Sequence, residues 1–379
     1  MFRRRHGAMN DASTSAGADV VVLLNASWAH LETHNTRWRA VTQLWARDPR
    51  IARVRVVDYP KMTPGNALRP PAEPLASWDP RIGAVTGRVA LSAWATPLDR
   101  FSWRRTGTAL RKALPPTGGR RVIVAATPLW APVLGYLDAD RRGFDAVDDV
   151  RALPSVSRVA RHVVAGYRAA ARLADACTSV SPTLSERLYA DFGAAVQTVR
   201  NGVDLELYEG EPPTRPAGVP AGPYAVYVGV VQERVDLDLL VAANAVVPVV
   251  VAGPADGDAA DVFARAGVTW LGRIAQSSIP ALLRSAAVGL VPHRNDELTS
   301  SMDPMKFREY LAAGLPVVTT VAPPAGLTTS RVTHVAPSAF ASAVGQAATL
   351  PPLHTPDPEA THRTWARVAD DLFAAHIGE

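Results

Sequence analysis

Short, almost wholly apolar runs recur along this chain, each closing in a polar loop and followed by a stretch of helical periodicity. The first is ADVVVLLN at 18–25. A run without alternation suits a strand buried on both faces, as in a parallel sheet covered by helices. ARVRVVDY (52–59), RVIVAATP (121–128), FDAVDD (144–149), DACTSVS (175–181) and VQTVRNGVD (196–204) continue the series. Between the first two, Trp38, Val41 and Trp45 recur at helical spacing. LYEGEPPTRPAGVPAGP (207–223) then breaks the rhythm with Pro and Gly and reads as a linker. The rhythm restarts with YAVYVG (224–229), VPVVVAG (247–253), VTWLG (268–272), VGLVP (288–292) and PVVTT (316–320). Two complete strand–helix series predict two parallel α/β halves.

Composition narrows the function classes. Hydrophobic residues make up 47% of the 379 and charged residues 20%, enough for a core in each half. No run of eighteen apolar residues occurs. The start, MFRRRHGAMNDASTSAG, is basic and then small and polar, without the apolar region of a signal peptide. It reads as a disordered tail over 1–17, and the chain is expected in the cytoplasm. The single Cys177 excludes an internal disulfide and a cysteine-based metal cluster, and its apolar setting reads as a buried structural thiol. A net charge of +5 is modest, and nucleic acid is not an expected partner. The dinucleotide, P-loop, zinc-hydrolase and serine-hydrolase signatures are absent.

Residues 70–117 are irregular and rich in Pro, Trp and Arg, with Trp78, Trp94, Trp103, Arg100, Arg104, Arg105, Arg111 and Lys112. Two readings stand: an insertion that shapes a substrate pocket, or an irregular surface subdomain. Indole and guanidinium together also suit a membrane interface.

Of the 40 basic residues only three are lysines, Lys61, Lys112 and Lys306. Where arginine has replaced lysine almost everywhere, a remaining lysine can mark a place where a compact ammonium is needed; Lys61 and Lys112 fall in unremarkable places, and Lys306 does not. Lys306 lies in LTSSMDPMKFREYLAAGLPVV (298–318). Asp303 and Pro304 read as N-cap and first helical residue, and Gly314 as the stop. Lys306 and Glu309 share a face of this helix, whose first turn offers free N–H groups to a diphosphate. Thr299, Ser300 and Ser301 would add donors, and Glu309 could accept two hydrogen bonds from the vicinal hydroxyls of a ribose. The plain alternative is a surface Lys–Glu pair on an amphipathic helix.

At this point a family resemblance enters. YVGVVQERVDLDLL, VVVAGP, VTWLGRI, VGLVPHR, DPMKFREYLAAGLPVVTT and NGVD (201–204) come in the order and at the distances of the bacterial group 1 glycosyltransferases of GT-B architecture. The branch that includes bacterial glucuronosyltransferases is the most similar, and the resemblance covers about residues 196–320. It implies two Rossmann-like domains facing a central cleft. The first, 18–206, would hold the acceptor. The second, 224–360, would hold a nucleotide-sugar donor, UDP-linked by default, and 361–379 would be a helix crossing back to the first. It also implies transfer of a sugar to an acceptor hydroxyl without a metal or other cofactor.

By the same resemblance, Lys306 binds the donor phosphates and Glu309 the ribose. Gly272, Arg273 and Ile274 read the base, and Gly229 lets the diphosphate approach. Arg234 falls near a second phosphate cation, although a salt bridge to Asp236 or Asp238 is an equal reading. Ser300, Ser301, Asp303 and Met305 complete the donor set. One departure stands out: many retaining members carry a second Glu eight positions before the ribose-binding one, and here that residue is Ser301. A base in the first domain would then be needed for inversion, the candidates being Asp148, Asp149, His30 and His34. The acceptor is lipid-linked or a small molecule, and an anionic membrane is a possible peripheral partner. Two rival functions remain: a nucleotide-sugar epimerase of the same fold, and a non-catalytic protein that binds nucleotide sugars.

Overall fold

The fold is described by a computed structural model over residues 17–33, 36–59, 61–64, 79–85, 88–91, 100–210, 214–255, 257–351, 353 and 355–378. The tail to residue 16, His34, Trp78 and Trp94 lie outside the described residues.

Fifteen strands form three sheets among the described residues. In chain order they are β1 Ala18–Leu23, β2 Ile51–Val57, β3 Lys61–Pro64, β4 Ile82–Val85, β5 Arg88–Leu91, β6 Arg121–Ala125, β7 Arg141–Ala146, β8 Ala176–Ser179 and β9 Val196–Thr198. The second half adds β10 Ala225–Val228, β11 Val249–Ala252, β12 Thr269–Trp270, β13 Val288–Val291, β14 Val317–Thr319 and β15 Val332–His334. The first sheet runs β4-β2-β1-β6-β7-β8-β9, the second β12-β11-β10-β13-β14-β15, and β3 pairs with β5. Each pairing is parallel, β1 lying between β2 and β6 with one register shift against β2 at Ala18/Asp19. Val20, Val21, Val22 and Leu23 are fully buried, as are Val249, Val250 and Val251, because helices cover both faces of each sheet. The order reverses beside β1 in one sheet and beside β10 in the other, so each sheet opens a crevice at the carboxyl ends of its strands.

The last helix, Trp365–His376, packs on the first half. Val368, Leu372 and Phe373 join the core cluster of Trp38, Trp45 and Val20. The Trp45 indole donates to the Ala369 carbonyl at 3.0 Å. Among the described residues no helix is long and apolar enough to cross a membrane. Cys177 is free and buried, and burial pushes its thiol up to about 11.

Several local readings need correction. The segment read as a loop after β1 carries a short helix, Trp28–Thr33. Thr299, Ser300 and Ser301 belong to a helix, Glu297–Ser301, capped by Asp296, whose carboxylate accepts from the Thr299 N–H. Asp303 is not an N-cap. The following helix runs Lys306–Ala312 behind Met305, without a side-chain cap. The Asp303 carboxylate instead accepts from the Asn201 N–H at 2.6 Å and from Arg308 at 3.0 Å. The described part of the irregular segment does not reach the cleft; Trp103 packs against Trp130 at 6.4 Å between ring centres.

Candidate active site

A cavity of about 380 Å³ lies between the two halves. Its lining comes from loops at the carboxyl ends of strands, where a parallel sheet leaves polar groups to face a crevice. The first half supplies Asn25, His30 and Thr36 after β1, Asp148 after β7 and Asn201 after β9. The second half supplies Gly229 and Arg234 after β10, Gly253 after β11, Arg273 and Ile274 after β12, and His293 after β13. Met305, Lys306 and Glu309 close it from the helix Lys306–Ala312.

The backbone gives this corner its room. Gly229 has φ +138°, and a Cβ there would lie 2.7 Å from the Lys306 Nζ. Gly253, at φ +141°, lies against the Gly229 carbonyl, which a Cβ would meet at 2.1 Å. Any side chain at either position would displace the lysine or part the strand ends. Gly229 therefore makes room first for the lysine that the resemblance assigns to phosphate.

Lys306 makes no hydrogen bond or ion pair with the described residues. Its Nζ sits 5.1 Å from the centre of the Tyr227 ring. Burial, and then repulsion from Arg234, bring its pKa down to about 8, with Glu309 opposing. Arg234 donates to Gln232 at 2.9 Å, while its Nε is buried without a partner. The salt bridge from Arg234 to Asp236 is not formed; Asp236 lies 3.8 Å from Arg294 instead. Across the cleft, the side chain of Asp148 has no hydrogen-bond partner among the described residues. Burial pushes its pKa up to about 6, Arg234 pulling it down and Asp149 adding to the rise.

Other expected residues lie elsewhere. Asp149 is committed to structure: it caps Val150–Ala152 and is gripped by Arg151 at 2.8 and 2.9 Å, so it is not free to act as a base. Ser301 is fully buried, its hydroxyl donating to the Leu298 carbonyl. Ser300 is exposed and accepts from Arg187. Neither serine lines the cleft, so neither supplies a donor to phosphate there. Gly272 is not in the lining and its carbonyl accepts from the Gly253 N–H at 2.7 Å, while Arg273 and Ile274 do line it. His30 is exposed at the cleft's rim.

Among the lining residues that sequence reasoning missed are Arg37, Asn201 and His293. Arg37 is buried, grips Asp145 at 2.9 and 3.0 Å and reaches Asn201 at 3.3 Å. Asn201 links this pair to Asp303. His293 is buried, and neither ring nitrogen has a partner. A polar residue directly after the apolar run 288–292 was the available signal for His293, because such positions face the crevice. Arg37 and Asn201 meet over 164 positions, which no local pattern reports.

Two parallel α/β sheets facing a polar cleft form the GT-B architecture. Residues 222–349 match the family model described as glycosyl transferases group 1. No curated protein sequence matches it. Solved structures share the fold. Sucrose-phosphate synthase from Thermosynechococcus elongatus aligns with a TM-score of 0.59 at 16% identity, over 94% of this chain and 97% of that one. Anabaena HepE in complex with UDP and glucose aligns at 0.61 and 15%, over 94% and 95%. The UDP-forming α,α-trehalose-phosphate synthase from Burkholderia xenovorans, in complex with glucose-6-phosphate, aligns at 0.60 and 12%, over 95% and 99%.

Proposed function

We propose that the chain transfers a sugar from a nucleoside diphosphate, UDP first among them, to an acceptor hydroxyl held on the first half. The observation that carries this reading is the unpartnered Lys306, set among cleft residues and facing no protein anion that neutralises it fully. A half-buried ammonium whose pKa has fallen to about 8 is poised to gain a counter-ion. A diphosphate supplies one, and Glu309, one turn on, then stands where a ribose diol would be. Lys306 and Arg234 stabilise the charge that develops on the leaving diphosphate, the role a divalent ion has in other transferases. Asp148 takes the proton of the acceptor hydroxyl as that oxygen bonds to the anomeric carbon and the nucleoside diphosphate leaves. The UDP bound to HepE, and the UDP-forming reaction of the trehalose-phosphate synthase, support UDP as the first nucleotide to try.

The test is a thermal-shift screen against UDP-glucose, UDP-glucuronic acid, GDP- and dTDP-sugars, followed by turnover with and without acceptors. A rise in melting temperature with one nucleotide series and acceptor-dependent release of its diphosphate support the reading. Conversion of the donor alone would favour an epimerase, and tight binding without turnover a non-catalytic role. Full activity in EDTA is expected.

A peripheral membrane contact at the inner leaflet is proposed for the helix Arg100–Ala113. It buries Ser102, Trp103, Thr106 and Leu110 while Arg100, Phe101, Arg104, Arg111 and Lys112 are exposed. A basic face with an exposed phenyl ring suits anionic headgroups, where a lipid-linked acceptor would lie. Co-sedimentation with phosphatidylserine vesicles at low salt should be strong and should fade with added salt. No binding at low salt leaves a small-molecule acceptor.

A further inference from the structure

His293 follows β13 and lines the cleft beside Lys306 and Arg234. Its place is fixed by the backbone. The Asp236 N–H donates to the Pro292 carbonyl and the Arg294 N–H to the Arg234 carbonyl, both at 2.8 Å. These bonds zip the residues around His293 to the loop that carries Arg234. The Thr320 hydroxyl holds the His293 carbonyl at 2.6 Å. The imidazole packs edge-on to Tyr227, 6.4 Å between centres, the same ring over which Lys306 sits. Histidine, lysine and arginine thus share one corner, yet both nitrogens of the imidazole are buried without a partner. A buried polar ring left unsatisfied costs stability, and a fold keeps such a ring where a ligand satisfies it.

We propose that His293 is a third residue of the diphosphate corner, whose imidazole meets the nucleotide's phosphate oxygens and takes up a proton from solvent as they bind. The inference rests on the donor site assigned above. In the free protein, burial and the charges of Lys306 and Arg234 hold the imidazole neutral, well below its ordinary pKa. Tyr227 presents a neutral phenol to it from β10; Glu309 acts on Lys306 and Asp148 on Arg234, while the charges that act on the imidazole itself are those of Lys306 and Arg234. A diphosphate entering between these cations reverses the local field. The neutral ring then gains both a hydrogen-bond acceptor and a reason to carry charge, so the two events are linked. Nucleotide affinity should accordingly fall as pH rises through the neutral range.

Calorimetric titration of UDP at pH 7, in two buffers of different ionisation enthalpy, counts the protons taken up. About one proton per nucleotide is expected. Lys306, at a pKa of about 8, is already charged in about nine-tenths of the molecules at that pH, so it adds at most about a tenth of a proton. Asp148→Asn removes the other group able to gain one, and the count should persist in it. In His293→Gln the count should fall close to zero, and UDP should bind about tenfold more weakly at pH 6.5. Should that variant not fold, histidine NMR of the wild-type protein gives the same answer. One imidazole that changes from neutral to charged on UDP addition supports the proposal, and none overturns it. UDP binding without proton uptake, or with uptake retained in His293→Gln, overturns the role of His293 and leaves the donor site standing. Failure of the wild-type protein to bind UDP overturns the donor site and this inference together.

Discussion

Two polar clusters meet at the same cleft and are built on opposite principles. In one, Arg37, Asp145, Asn201, Asp303 and Arg308 are tied by hydrogen bonds of 2.6 to 3.3 Å, and Thr178 joins Asp145 to the His376 ring. Each buried charge there has an opposite charge in contact, and the chain of bonds joins the first half to the second. In the other cluster, Lys306 and Asp148 have no hydrogen-bond partner among the described residues, the Nε of Arg234 is unsatisfied, and His293 has two buried nitrogens without partners. The first arrangement holds the halves together. The second leaves free energy unclaimed inside the protein, which is how a binding site differs from a strut.

Substitutions should therefore separate the clusters, activity being lost on one side and stability on the other. The largest effect is expected at Asp148. Asp148→Asn should lower kcat by about 10²–10⁴-fold and leave the melting temperature unchanged or higher. In the parent, kcat/KM should rise with pH as Asp148 ionises through about 6, and fall as Lys306 loses its proton through about 8. The acid limb should vanish in Asp148→Asn. A profile flat from pH 5 to 9 would remove both residues from the mechanism.

Asp303→Ala breaks the strut. It leaves the buried Arg308 guanidinium without its carboxylate, and should cost about 3–5 kcal/mol of stability in a urea titration. Lys306→Met should do the opposite and raise the melting temperature at pH 7. The pKa of Lys306 falls from 10.5 to about 8 in the fold. Below pH 8 the ammonium is charged in both folded and unfolded states, so the burial penalty is present in full. It fades as pH rises from about 8 toward 10.5, and the gain from Lys306→Met should fade with it. A stability loss at Lys306 matching that at Asp303 would erase the distinction between the clusters. The smallest effect is expected at Ser300, whose side chain faces away from the cleft. Ser300→Ala should change stability by no more than about 0.5 kcal/mol and leave UDP affinity unaltered.

The two clusters were also unequally legible in the sequence. Buried parallel strands announce themselves as unbroken apolar runs, so most strands of both sheets were readable, whereas β15, VTH between exposed turns, was not. Lys306 and Glu309 stood out through the scarcity of lysine and their spacing on one short helix. Asp303 was visible but misassigned, because Asp-Pro ahead of an apolar run looks like a cap. Its actual partner Asn201 is 102 positions away. Asp148 and Asp149 are adjacent and looked equivalent. Arg151, two residues on, claims one of them and leaves the other in the cleft. Side-chain choices of this kind depend on which neighbours the fold delivers, and a one-dimensional pattern does not contain them.

If Lys306 is unpaired because its counter-ion is the donor's diphosphate, removing the lysine must weaken nucleotide binding. Calorimetric titration of UDP into the parent, Lys306→Ala and Lys306→Arg tests it most directly, with circular dichroism as the control for folding. Lys306→Ala should bind about tenfold to a hundredfold more weakly, about 1.5–3 kcal/mol, with an unchanged spectrum. Lys306→Arg should also weaken binding, because a planar guanidinium does not fit the space that Gly229 leaves for an ammonium. If Lys306→Ala binds UDP as tightly as the parent does, the lysine is only a half-buried charge and the diphosphate site lies elsewhere.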